Sequence, residues 1–445
     1  MRGTARRGGL VAATLGGLLL AAPAEALASP QDVLGYGART QAMGATGAAV
    51  AEGYEAVYGN PALLSATHVR RLTVGMTAAT FDVRAEPADG AAGATGLPDS
   101  GRLPYGPLRG GVIGATLPVP FGGFLTDRIT LGLGFFTPFD VVVRGRILDS
   151  EIPQYLLADR VQSVAVQVGV GVDLGRGIRL GGGFAALAAL SGSVQVATDA
   201  TGRVGTVVEN SLVASYAPIV GASYDLGPWR FGATFRGALE GRFNVVISVR
   251  DLGSITVPPL SISGLAQYDP LQVALEVART LGPWRLALGA TFKHWSAYPG
   301  PHEATVRCPV LDPDTGLPFS DPCDPLVPED PGYSDTVVLR AGAERAIPLH
   351  PRVTARVRGG AFFEPSPAPE QTGEANLFDN HRLAVTLGYG LSAGPVDLDL
   401  FGQAHVLLPR THDKEAGVPA TNPGAAGVST GGVIVAGGLT AGVSF

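Results

Sequence analysis

The chain has 445 residues, a formal charge of −6, 46% hydrophobic side chains, only 16% charged ones and 63 glycines. A charge fraction this low is unusual for a soluble protein, and the acidic balance leaves no basic excess to neutralise phosphates, which excludes a nucleic-acid partner. Aliphatic residues along the whole length exclude disorder, and past residue 30 no unbroken apolar stretch reaches the roughly 20 residues of a spanning helix.

Residues 1–28 read as an export signal. Arg2, Arg6 and Arg7 precede the apolar run Gly8 to Ala22, and Ala26-Leu27-Ala28 forms a small-x-small cleavage site, so the mature chain is expected to start near Ser29. It then carries 29 basic and 37 acidic side chains, a net charge of −8. Residues 29–66 are rich in Gly and Ala, do not alternate, and include Asn60-Pro61-Ala62. They are too short for a domain and too compact for a tail.

From residue 67 onward the hydrophobic period is 2. In Trp229 to Arg250, Trp229, Phe231, Phe235, Leu239, Phe243, Val245 and Ile247 fall on one face, and Arg230, Thr234, Arg236, Glu240, Arg242 and Asn244 on the other. A run of 22 such residues is far longer than the usual globular strand of about 5–6. About 14 segments alternate in this way: 69–83, 110–118, 129–137, 161–174, 178–195, 209–225, 228–250, 264–281, 283–297, 334–347, 352–364, 380–392, 395–408 and 430–445. Backbone groups in lipid are satisfied only by helices or closed sheets. The pattern therefore predicts an all-β, transmembrane antiparallel β-barrel of about 14 strands, with apolar side chains toward lipid and charged ones around a wet interior. Residues 29–66 then fit inside the lumen as a plug ahead of a barrel over 67–445. Short Gly/Pro turns such as Leu226-Gly227-Pro228 alternate with long polar loops, which places the short turns on the periplasmic side.

Several blocks together resemble the FadL/TodX family of outer-membrane transporters of long-chain fatty acids and aromatic hydrocarbons. They are Gly35 to Ser65 with Asn60-Pro61-Ala62, Phe136-Thr137-Pro138-Phe139, Trp295-Ser296, Arg358 through Pro365, Asp379 to Arg382, and the alternating C-terminal strand that ends in Phe445. The resemblance implies passive uptake of a hydrophobic small molecule across the outer membrane of a Gram-negative cell. It also implies a hatch closing the lumen and a lateral opening near an inward kink of the third strand, with Asn60, Pro61 and Ala62 close to that opening. Phe445 resembles the signal by which the barrel assembly machinery recognises its clients. A monomer bathed in outer-membrane lipid, without cofactor or metal, is expected. The third and fourth outer loops, 196–208 and 251–263, are short for a fatty-acid capture groove.

Other candidate sites have plainer readings. Cys308 and Cys323 are the only cysteines, and in an oxidising compartment they are expected to form a disulfide. Arg230, Arg236, Glu240, Arg242, Glu276, Arg340, Glu344, Arg356, Arg358, Asp397 and Asp399 fall on the inward face and are expected to form a salt-bridged lumen that holds the plug. Two Gly-x-Ser-x-Gly runs, centred on Ser392 and Ser429, lie where strands meet loops and not at the strand-to-helix turn a hydrolase needs, so no catalytic residue is assigned. A general or anion-selective porin and a barrel-embedded lipid hydrolase are the rival readings.

Overall fold

A computed structural model describes residues 30–88, 97–139, 151–155, 164–198, 204–250, 260–300, 302–303, 330–425 and 427–445. Residues 1–28, read above as an export signal, and both cysteines, Cys308 and Cys323, lie outside the described residues, and so does the side chain of Arg242.

The alternating segments form a closed, 14-stranded antiparallel barrel. In chain order the strands are Arg71–Pro87, Leu108–Pro118, Ile129–Pro138, Ala165–Gly175, Ile178–Thr198, Val204–Leu226, a seventh in two pieces (Trp229–Arg236 and Leu239–Arg250), and an eighth in two pieces (Leu260–Asp269 and Gln272–Leu281). Then come Trp284–Lys293, Thr336–His350, Val353–Glu364, Arg382–Ala393, Val396–His412 and Val428–Ser444. The first strand closes the cylinder on the last, in register from Arg71↔Ser444 to Pro87↔Val428, so neither has a free edge. Two-residue turns join neighbours at one end. Gly227 and Gly282 there have φ of 58° and 56°, a left-handed backbone that a Cβ would penalise.

The outer wall is apolar. Leu387 is 67% exposed, and Leu288, Leu275, Leu339 and Val220 are also exposed. Trp229 and Trp284 sit beside the two-residue turns, and the guanidiniums of Arg279 and Arg345 lie 4.7 and 5.3 Å from their ring centroids. An aromatic girdle at the rim of an apolar band is the surface of a bilayer-spanning barrel. Phe445 ends the chain on this surface, 76% exposed, its N–H donating to the Arg70 carbonyl at 3.0 Å.

Two expectations need correction. The seventh strand does not alternate without interruption: it breaks at Gly237-Ala238, and Leu239, placed on the lipid face by a period of 2, is buried in the lumenal cluster. The interior is also not a wet, charged channel. Residues 30–66 fold into short turns (Pro30–Leu34, Ala38–Ala42, Gly53–Glu55, Ala56–Gly59 and Pro61–Ala66), nearly all buried against the inward side chains of the barrel. Their small side chains and the glycines facing them permit this. A Cβ on Gly232 would collide with the Ala48 carbonyl, and one on Gly181 with the Pro61–Ala62 peptide.

Candidate functional site: the junction of the inner segment and the wall

Asn60 is fully buried where the inner segment meets the sixth strand. Its Nδ2 donates to the Ala48 carbonyl at 2.6 Å and the Ala222 carbonyl at 2.9 Å, while its Oδ1 accepts from the Ala62 N–H at 3.1 Å. It thereby caps the turn Pro61–Ala66, with Pro61 at a first-turn position where no N–H is required. Asn-Pro-Ala therefore lies against the fourth, fifth and sixth strands, at Gly171, Gly181 and Gly221. The described part of the third strand is paired along both edges, from Ile129↔Val172 to Phe136↔Ala165 and from Pro118↔Thr130 to Gly110↔Pro138.

The inward charges form separate groups. Glu344 is the hub of the first. It accepts from Arg39 Nε and Nη2 at 3.0 and 2.9 Å and from Arg358 Nε at 2.7 Å, and Arg358 reaches Asp399 at 2.5 Å. Arg358 is 2% exposed, so this is a buried cluster and not a hydrated surface. Next to it Arg71 pairs with Asp397, which also accepts from the Ser392 hydroxyl, and Arg356 donates to that same hydroxyl. Arg230 stands apart, paired with Asp225 at 2.5 Å near the turns. Arg236 donates to the Tyr58 carbonyl at 3.2 Å and to Gln272 at 2.8 Å, its guanidinium 4.6 Å from the Tyr58 ring centroid. Arg340 lies over Phe362 at 5.1 Å, and Glu240 is half-buried.

Of the strongest anchors only Glu276 was legible in the pattern, as an inward-facing carboxylate. Lys293, with no exposed surface, donates to Asp32 at 2.9 Å and to Glu364 at 2.6 Å, and Arg382 pairs with the same Glu364. Gln272 also donates to Asp32. Glu276 accepts from three successive backbone N–H groups, Gly47, Ala48 and Ala49, at 2.8, 3.1 and 2.9 Å. Gln403 donates to the Leu34 and Gln41 carbonyls, and Arg382 to that of Val33. A cue existed in Lys293, one of only two lysines in the chain and on the inward phase of its strand. Within the inner segment, burial pushes the Glu55 carboxyl up to about 8 against the pull of Arg39; Glu55 accepts from the Arg39 and Thr40 N–H groups.

The opposite flank is greasy. One buried cluster runs from Leu103, Leu108, Tyr155 and Phe378 at the loop end, through Phe81 and Phe136, to Tyr36, Val57, Leu63 and Leu64 of the inner segment, and on to Leu187, Ile219 and Leu239. Between segment and wall the spaces are small. One of about 40 Å³ lies among Asp32, Tyr36, Glu276 and Arg340, and a polar one of about 130 Å³ lies at the short-turn end among Arg39, Glu52, Arg71, Asp397 and Asp399. A second aromatic group, Tyr268, Trp295, Tyr298 and Tyr333, packs with centroids 4.7–6.1 Å apart beside the point where the ninth strand ends.

No family model and no curated protein matches the chain. Solved structures do match in fold. A Pseudomonas aeruginosa FadL homologue superposes with a TM-score of 0.55 at 13% identity, covering 95% of this chain and 99% of the other. The P. putida toluene transporter TodX gives 0.53 at 16% identity, covering 93% and 99%, and the Ralstonia pickettii toluene transporter TbuX gives 0.51 at 15%, covering 93% and 99%. The chain has the FadL/TodX barrel fold along nearly its whole length.

Proposed function

We propose that this barrel carries hydrophobic small molecules, long-chain fatty acids or aromatic hydrocarbons, across the outer membrane without energy input, and that residues 30–66 are the plug that keeps its lumen closed. The observation that carries the reading is the pairing of a filled lumen with one continuous apolar flank. Each methylene moved from water into such a flank contributes about 0.8 kcal/mol, so this flank captures greasy solutes. The solved barrels of this fold include proteins described as toluene transporters, which supports the same reading. Against a porin stand the small spaces beside the inner segment. Against a hydrolase, the Ser392 hydroxyl is held between Arg356 and Asp397, with no histidine among its partners. Within the same proposal Phe445 is the assembly signal, Cys308 and Cys323 staple an outer loop, and the barrel works as a monomer.

The test has two parts. Cells lacking a transporter of their own and expressing this chain should accumulate radiolabelled oleate or toluene faster than cells with an empty vector. In planar bilayers the intact protein should conduct little, and deletion of residues 29–66 should open a stable conductance. High conductance from the intact chain, with no uptake of either probe, overturns the proposal.

A further inference from the structure

The apolar flank ends at a place where the wall itself parts. The sixth and seventh strands pair from Leu226↔Trp229 to Ile219↔Arg236, and there the ladder stops although both strands continue. One more contact, Gly237 N–H to the Pro218 carbonyl at 2.9 Å, closes the seam. Pro218 has no N–H to return, and the next rung is not made. The eighth strand breaks at the same level, at Pro270-Leu271, between the rungs Leu239↔Asp269 and Gln272↔Arg236. Beyond the break the seventh strand leaves its neighbour and pairs in parallel with the fifth, from Ser191↔Asn244 to Ala197↔Arg250. Two adjacent strands thus break, and the sixth loses its partner, at one height. The seventh strand's lower piece of 8 residues, at about 3.3 Å per residue and a tilt near 40°, puts that height about 20 Å above the turns, inside the hydrocarbon band of about 25 Å.

Apolar side chains line both sides of the seam. Inside, the buried cluster reaches it through Leu187, Ala217, Ile219 and Leu239. Outside and just below it, Ala222, Ala233 and Ala290 leave an open hollow of about 700 Å³ walled by Tyr224, Phe231, Leu275 and Leu288. Asn60 holds the inner segment to the sixth strand at Ala222, four residues from Pro218. The downward route crosses the charged cluster of Arg39, Glu52, Arg71 and Asp397, which an apolar solute cannot enter without desolvating ions.

We infer that the hydrophobic substrate leaves this barrel sideways through the seam between the sixth and seventh strands, at Pro218 and Gly237-Ala238, and passes over the Ala222/Ala233 hollow into the lipid. This rests on the transport reading above and places the exit away from the third strand, which is paired along both edges from Thr130 to Phe136. An apolar body passes Ala217, Ile219 and Leu239 on this path, while the charge at the last rung, Arg236, is turned aside to the Tyr58 carbonyl and Gln272.

The experiment is disulfide zipping in full-length chains whose own cysteines are replaced by serine (C308S/C323S). Ala217→Cys with Ala238→Cys adds the missing rung on the inner face. Val385→Cys with Ala404→Cys, a ladder pair of the twelfth and thirteenth strands, is the control, and Leu133→Cys with Val168→Cys locks the third strand to the fourth. Uptake of radiolabelled oleate and toluene is compared between oxidised and reduced forms of the same cells. The expected result is at least a tenfold drop on oxidising the 217/238 pair, recovered on reduction, with no change for the other two. Uptake within twofold for oxidised 217/238, or a loss confined to 133/168, overturns the inference while leaving transport standing. No uptake of either probe by the unaltered chain removes the transport reading and this exit with it. If the 217/238 pair does not assemble, Ala233→Trp fills the outer hollow without touching the lumen: a drop of fivefold or more in uptake at normal barrel yield supports the exit, and unchanged uptake overturns it.

Discussion

The two flanks of the lumen hold the same short segment by opposite means. Strands eight to thirteen grip it with buried charge: Lys293 and Gln272 on Asp32, Glu344 on Arg39, and Glu276 on three backbone N–H groups. Strands two to six offer glycine. A Cβ on Gly114 would strike Tyr54, one on Gly132 would strike Val57 and Leu64, and one on Gly171 would strike the Pro61 carbonyl. Charge fixes position but tolerates no gaps, because an ion left unpaired in a dry interior is costly. Apolar packing is non-directional, so a guest can replace one greasy neighbour by another. Under the transport reading proposed above, the charged flank would hold the segment in place and the greasy flank would be the side along which a substrate moves.

Four substitutions would break or sharpen this contrast. The largest effect is expected from Glu344→Ala, which removes the carboxylate that Arg39 and Arg358 share, leaving Arg358 to Asp399 and Arg39 to Glu52, and should cost about 3–5 kcal/mol. Thermal unfolding in detergent reads the stability loss, and limited proteolysis of the N-terminal segment shows whether the plug has come free. Leu64→Ala on the greasy flank should cost about 2–4 kcal/mol by leaving a cavity. Because it removes no charge, it should raise substrate uptake without raising ion conductance, and equal rises in both would erase the distinction between the flanks. Asn60→Ala should cost about 1–3 kcal/mol by leaving the Ala48 and Ala222 carbonyls and the Ala62 N–H without their side-chain partner. Hydrogen exchange at Ala62 should rise, while exchange at Ala49, held by Glu276, should not. The smallest effect is a pH dependence. The Glu55 carboxyl has a folded pKa raised by burial to about 8, so its contribution is present below the unfolded value of about 4.3 and is lost as pH rises through 8. Exchange protection of the Arg39 and Thr40 amides, corrected for intrinsic rate, should fall from pH 5 to pH 9, and Glu55→Gln should flatten that fall.

The barrel was legible because strand, turn and closure each leave a local mark. Segments such as Leu383, Val385 and Leu387 alternate with small or polar neighbours, and Gly-Pro pairs mark the turns at 227–228 and 282–283. The site was legible only in its residue types. Arg358, Glu344 and Asp399 do meet, but the partner that joins them, Arg39, comes from the inner segment, which has no periodicity to read. The seam had a visible cue in Pro270, a residue that a central strand does not accommodate. The phase slip at Gly237-Ala238 had none, because alternation continues through it on paper while the backbone turns Leu239 from lipid to lumen.

From its own pattern the sequence determined a closed cylinder, its strand count, its apolar outside and a short non-alternating leader ahead of it, since a period of 2 and the need to pair every backbone group in lipid act along the chain or between neighbours in it. Which charges meet, which flank of the lumen stays greasy and where the wall parts were decided only when residues more than 200 positions apart, such as Asp32 and Lys293, came to lie side by side. Those contacts depend on how the leader sits among 14 strands at once, and no local spacing encodes that arrangement.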